Sequence, residues 1–215
     1  MNQKLTAKLA AVTAAAALLC TLAQPAALSA SAAPAYESRW TQTISMEELL
    51  LPALSNPWTD ANGTYRQLRQ ALRFKTLYQG NILSLWQKGA RIPAESLRKL
   101  SEEGLISGYL YKLIAGLPFT ASDFSDVFNA NYYYAANPDL AAAGIPLDEN
   151  QLFQHFLTQG MAQGRVASPS FNLSYFKANY PQLEKAMGGS NVNWYLYYIL
   201  YGKDNGQVAD RLLKK

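Results

Sequence analysis

The sequence predicts an all-α protein, and three observations carry that prediction. No segment alternates apolar and polar residues with period two for long enough to argue a strand. Apolar residues recur instead at three- and four-residue spacing, in short runs closed by glycine or proline. The second half of the chain also carries one helical pattern twice, offset by 43 residues in its first part and by 42 in its second. The composition fits a packed protein: of 215 residues 49% are hydrophobic and 12% aromatic, too many for a disordered chain. A single Cys excludes an intrachain disulfide framework, and a single His leaves little room for multi-histidine metal sites.

The amino-terminal segment reads as an export signal. Lys4 and Lys8 precede an apolar run from Leu9 to Leu22, and no acid occurs before residue 36. The run falls short of the ~20 residues that span a bilayer. Pro25 breaks it, and Ala30-Ser31-Ala32 fits an A-x-A cleavage pattern, with Ala33 as the new terminus. An uncleaved anchor and lipidation at Cys20 are the competing readings, the latter opposed by Leu19 where a small residue is wanted. Cleavage would remove the only thiol and two of the 19 basic residues, lowering the net charge from +4 to +2. The densest basic run, Arg66, Arg69, Arg73 and Lys75, reads as a solvated helix face, so no nucleic-acid partner is expected.

Residues 36–61 are mixed. Ser45 and Glu48 have the spacing of a capping box, before Pro52 and Asn56-Pro57 interrupt the pattern. From Asn62 to Gln87 a stronger helical stripe runs through Tyr65, Leu68, Leu72, Leu77, Ile82, Leu85 and Trp86, with a kink or break expected at Gly80-Asn81. Gly89 suits a helix end. Pro93 opens a helix containing Leu97 and Leu100, which Gly104 stops. A last apolar helix, Leu105 to Ala115, ends before Gly116 and Pro118.

The repeated unit runs Phe128-Asn-Ala-Asn-Tyr-Tyr-Tyr-Ala-Ala-Asn-Pro-Asp-Leu140 and then Gln151 to Arg165; its second copy runs Phe171 to Leu183 and then Asn193 to Gly206. Phe-x-x-x-Tyr is expected to set two rings one helical turn apart. The step into Pro138 or Pro181 ends that helix, because the residue before proline leaves the α region, and each proline can begin a second short helix. Asp148-Glu149 or Ser190-Asn191 then supplies caps for a third helix, expected to end at Gly160 or Gly202, with Gly164 and Gly206 permitting a further turn.

Comparing the copies predicts burial. Positions apolar in both should form the core: Phe128/Phe171, Tyr132/Tyr175, Tyr133/Phe176, Leu140/Leu183, Leu152/Trp194, Phe153/Tyr195, Phe156/Tyr198 and Leu157/Ile199. Rings matched by a polar residue should lie at the surface: Tyr134 against Lys177, Tyr180 against Asn137, Tyr201 against Gln159. Exposed rings can stack on sugars or anchor protein contacts, so Tyr134, Tyr180 and Tyr201 are the candidate ligand-binding residues.

The pattern Phe-x-x-x-Tyr-Tyr-x-x-Asn-Pro-Asp-Leu, followed by His-Phe-x-x-x-Gly-x-x-x-Gly-Arg, resembles a repeat of secreted and cell-surface proteins of clostridia-like Gram-positive bacteria. There it is often attached to cell-wall hydrolases or other extracellular domains. The first copy matches well. The second has Gln182 for the Asp, Tyr197 for the His and Gln207 for the Arg. The resemblance covers residues 128–207 and leaves 36–127 unexplained. It implies an exported, envelope-associated module and no reaction.

Chemistry-bearing residues are scarce. His155 has Tyr197 as its counterpart and reads as a packed, locally hydrogen-bonded residue. Glu47-Glu48 and Glu102-Glu103 read as helix-terminal surface acids; Asp123, Asp126 and Asp139 read as caps. No phosphate loop, nucleophile elbow or metal-ligand spacing occurs, so no catalytic residue, metal or cofactor is expected.

The predicted organisation is a signal peptide 1–32, a helical module 36–127, repeats 128–165 and 171–207, and a basic tail 208–215. The predicted role is an exported non-catalytic binding or scaffolding protein of the cell envelope, secreted and wall-associated. Its partners would be cell-wall polysaccharide or another surface protein, with membrane contact only through the transient signal segment. The alternatives are a carbohydrate- or peptidoglycan-binding module, and a small wall hydrolase using an acid pair in 36–127.

Overall fold

The computed structural model describes residues 60–210, together with Leu50 and Leu54. The signal segment, the Ser45–Glu48 capping box and the last five residues lie outside the described residues. Within them the fold is all-α, with a single isolated β-bridge between Ser168 and Phe171. No described helix is long and apolar enough to cross a membrane.

Among the described residues the first module contains the α-helices α1 (Ala61–Arg73), α2 (Gln79–Gln87), α3 (Ala94–Glu102) and α4 (Gly108–Ala115). Asp60 caps α1, Ser107 caps α4, and Gly116 takes a left-handed conformation to end α4. The break between α1 and α2 falls at residues 74–78, earlier than the expected Gly80-Asn81. Lys75 turns left-handed there (φ 53°), and the Thr76 N–H and hydroxyl both donate to Ala71 O. Gly80 lies inside α2 and serves a different purpose, because a Cβ on it would fall within the ring of Tyr201. Trp86, expected on the apolar stripe, stands 39% exposed.

The two repeat segments then run through similar orders of elements, the second with an added 3₁₀ turn and no helix after its π turn. Segment 128–165 contains α5 (Ala130–Ala136), α6 (Asp139–Ala142), α7 (Glu149–His155), a π-helical turn Phe156–Gly160 and α8 (Met161–Gln163). Segment 171–207 contains α9 (Leu173–Asn179), a 3₁₀ turn Pro181–Leu183, α10 (Glu184–Met187), α11 (Asn191–Tyr197) and a π-helical turn Tyr198–Gly202. Asn129 and Asn172 cap α5 and α9 through their side-chain oxygens, at 2.9 Å each. Gly160 and Gly202 do not end their helices as expected. Gly160 keeps a right-handed φ of −58°, the helix passes through it, and Gly164 and Gly206 supply the left-handed ends.

Aromatic rings join the three parts into one core. Tyr109 meets Phe124 (5.2 Å between centroids), Phe124 meets Phe153 (5.4 Å), Phe156 meets Tyr195 (5.5 Å) and Phe171 meets Tyr198 (4.8 Å). Most expected core pairs are buried in both copies. Tyr132 departs most, at 38% exposure with Tyr175 half-buried, and Leu157 and Leu183 are also only half-buried. For Tyr132 the reason is local: α5 starts only at Ala130, so Phe128 precedes the helix and meets Tyr133 (5.5 Å) rather than the residue four positions on. Phe171 and Phe176 repeat that contact at 5.5 Å.

Candidate functional site

The three tyrosines singled out as exposed are all half-buried and packed against the core. Tyr134 lies on α5. Tyr180 ends α9 with its ring 4.9 Å from Phe176, and its hydroxyl accepts from Val208 N–H at 2.9 Å. Tyr201 stacks on Tyr197 (5.5 Å) and donates to Gly80 O at 3.3 Å. Phe176 and Tyr197, 6.4 Å apart, join Tyr180 to Tyr201, whereas Tyr134 belongs to the other segment. The polar partner in the opposite copy failed as an exposure signal because segments distant in the chain cover Tyr180 and Tyr201.

The residues of the repeat motif converge elsewhere. Arg165 forms a two-pronged ion pair with Asp139, Nη1 to Oδ1 at 2.9 Å and Nη2 to Oδ2 at 2.7 Å. Buried Asn137 donates from Nδ2 to Tyr133 O (2.7 Å) and Val166 O (2.9 Å), and its Oδ1 accepts from Arg165 at 3.4 Å. The Tyr133 hydroxyl meets His155 Nδ1 at 2.8 Å. A Cβ on Gly160 would collide with that hydroxyl, so the glycine is required by the tyrosine. Tyr, Asn-Pro-Asp, His, Gly and Arg of the motif thus form one network, with the ends of the unit gripping each other.

The electrostatics leave this network little chemistry. Burial, with Arg165 nearby, holds His155 below its ordinary pKa, and Asp139 only partly offsets this. Burial pushes the Tyr133 hydroxyl up to about 12. The pair is therefore a neutral hydrogen bond near pH 7, and the phenol is no nucleophile there. Hydrogen bonding to Arg165 holds the Asp139 carboxyl below the usual carboxylate range and ties up both oxygens. A general acid or base needs a free, poised group.

In the second segment the same positions are filled differently. Phe176 replaces Tyr133 and Tyr197 replaces His155, so the hydroxyl sits on the other side of the pair. Gln207 replaces Arg165 and donates to Tyr197 Oη at 3.4 Å, while its Oε1 is buried without a partner among the described residues. Tyr180 takes over from Asn137, bonding Val208 where Asn137 bonds Val166.

The other described acids singled out in the sequence are also engaged. Asp123 accepts from Lys112 (2.7 Å) and from Thr120 N–H (2.7 Å) in the turn before the first repeat. Asp126, expected as a cap, pairs instead with Lys203 at 2.6 Å. Glu103 collects Tyr65, Arg69 and Arg73, and Glu102 pairs with Arg98. Glu47 and Glu48 lie outside the described residues. Among the described residues no cluster of three or more His, Cys, Asp or Glu could hold a metal ion.

Sequence reasoning missed Gln79. Its buried side chain donates to Ile199 O at 2.8 Å and accepts from Ser107 N–H at 2.9 Å, and it also bonds Asp204. The π turn at 198–202 pairs Lys203 N–H with Tyr198 O, five residues back, and Ile199 O is met from outside the turn by Gln79. Nothing in a glutamine next to a glycine signals that role. Comparison with protein-family models, curated proteins and solved structures finds no match to this chain.

Proposed function

We propose that the protein is an exported, non-catalytic binding or scaffolding component of the bacterial cell envelope, built on two copies of one helical unit. The observation that carries this reading is the network at Tyr133, Asn137, Asp139, His155 and Arg165. Its polar groups are spent on holding the unit together, which suits a motif that recurs as a spacer or recognition module. The pairing of backbone bonds supports duplication. Asn129 N–H bonds Ala167 O at 2.7 Å, and Asn172 N–H bonds Ala209 O at 2.9 Å. The signal-like segment before residue 33 supports export.

The test is retention of the purified protein on isolated peptidoglycan and on surface polysaccharide, with soluble fragments assayed alongside. Retention without release of fragments is the expected result. Absence of retention on both removes wall binding. Release of fragments abolished by one Asp or Glu substitution would establish a hydrolase instead.

A further inference from the structure

We propose that the corner between α1 and α2, with the arginine face of α1 behind it, seats the protein on the surface of an anionic lipid bilayer. Residues 61–94 carry six cations, Arg66, Arg69, Arg73, Lys75, Lys88 and Arg91, and no acid. Arg66, Arg69 and Arg73 share one face of α1 by their spacing of three and seven, and that face leads to the corner. Glu103 is the acid that reaches Arg69 and Arg73. Arg66, Lys75 and Arg91 have no acidic partner among the described residues, and all three are exposed.

Phe74 stands at the tip. It is 72% exposed, more than any other large hydrophobic side chain described. The turn that presents it is closed rather than loose: Phe74 N–H bonds Gln70 O (3.0 Å), Lys75 N–H bonds Leu72 O (3.1 Å) and Thr76 N–H bonds Ala71 O (3.0 Å). Leu77 beside it is buried, so the corner separates an inward leucine from an outward phenylalanine. Lys75 is also the one non-glycine described with positive φ, at 53°. Glycine fills the other left-handed turns, so a lysine here keeps a cation next to the ring at the cost of backbone strain. Tyr78, also exposed, adds a ring with one apolar and one polar end.

The apolar tip selects the partner. A soluble polyanion would gain from the arginines and nothing from Phe74, which has no donor or acceptor. An anionic bilayer takes both, headgroups against the cations and the acyl boundary against the ring. Each Lys or Arg near such a surface is worth about fivefold in partitioning. This seat goes beyond the envelope reading and does not depend on the repeats binding anything. Peptidoglycan contains no lipid, so the two tests fail separately.

The experiment uses the full chain with vesicles of equal parts phosphatidylglycerol and phosphatidylcholine, against phosphatidylcholine alone, in low and high salt. Any background from residues 1–32 is common to all variants, so differences between variants are read. Arg66→Glu with Lys75→Glu should lower partitioning to the anionic vesicles at least about tenfold. Phe74→Ser should lower it severalfold, with the melting temperature unchanged in both. Phe74→Trp should add fluorescence that brominated acyl chains quench only in anionic vesicles. Equal binding by parent and variants, or an unquenched Trp at 74, overturns the proposal. So does tight binding to soluble polyphosphate that responds to the charge reversal and ignores Phe74→Ser, which would identify a polymer partner.

Discussion

The two segments 128–165 and 171–207 follow a similar order of helices and differ in the side chains that fill them. In both, an asparagine caps the first helix, a proline opens the next turn of helix, and a π turn follows the helix that begins at Glu149 or Asn191. Arg165 N–H bonds Gly160 O at 3.0 Å, and Gln207 N–H bonds Gly202 O at 2.9 Å. Inside that frame the first segment uses an ion pair and a Tyr–His hydrogen bond, whereas the second uses Phe176, Tyr197, Tyr180 and Tyr201. The frame is set by caps, breakers and glycines. The fill changes as a set, because each side chain is shaped to its neighbour.

The sharpest way to break the comparison is at the π-turn glycines. Gly160→Ala should cost about 3 kcal/mol in urea unfolding, since its Cβ meets the Tyr133 hydroxyl. Gly202→Ala, with Tyr198 Cδ2 2.8 Å from the new Cβ, should cost about 1 kcal/mol because that ring can shift. Adding Tyr133→Phe to Gly160→Ala should recover part of the loss. Equal costs at 160 and 202 would show that the hydroxyl is not what requires the glycine.

Next in size is the exchange of partners. His155→Tyr alone should destabilise by about 2 kcal/mol, by setting two hydroxyls where one fits. Combined with Tyr133→Phe it reproduces the Phe176–Tyr197 arrangement and should lie within about 1 kcal/mol of the parent. A double-mutant cycle in urea reads the coupling, and strict additivity would refute it.

The caps should respond alike in both copies. Asn129→Ala and Asn172→Ala each remove a side-chain bond to a helix N–H at 2.9 Å and should each cost about 1 kcal/mol in thermal unfolding. A clear inequality would mean that the two first helices are not held in the same way.

The smallest effect is a pH dependence that has no counterpart at Tyr197. Burial keeps the folded His155 pKa below its ordinary 6.5. Between those two values the unfolded chain binds more protons, so stability falls as pH falls through that window. His155→Gln should flatten that slope. Asp204 acts with the opposite sign. Burial raises its folded pKa above 3.8, so its contribution declines as pH rises through the window above that value, and Asp204→Asn should remove it. Midpoints of urea unfolding against pH separate the two.

Local signals in the sequence were sufficient for the breaks at Pro138 and Pro181, the Asp148 cap, the left-handed Gly164 and Gly206, and most of the paired core. They failed where a distant segment decides. Gly80 looks like a helix breaker and is a seat for the Tyr201 ring. Gly160 looks like a helix end and is a gap beside Tyr133. The α1–α2 corner carries no glycine at its left-handed residue, so the sequence marks the break too late. Tyr180 and Tyr201 read as surface rings because nothing nearby in sequence reveals that Val208 and Gly80 cover them.

The sequence by itself determined the helical class, the tandem pattern and the Asp148 cap, because each depends on residues within a few positions of one another, where backbone preference and spacing act directly. Ser190, expected to cap the matching helix, makes no side-chain cap bond. Tertiary structure alone decided which glycines make room for a ring, which hydroxyls are consumed, and that Gln79 meets a carbonyl at the second π turn. Those outcomes depend on groups up to 121 residues apart meeting at hydrogen-bond distance. No local preference encodes such a meeting; only close packing of the finished core brings it about.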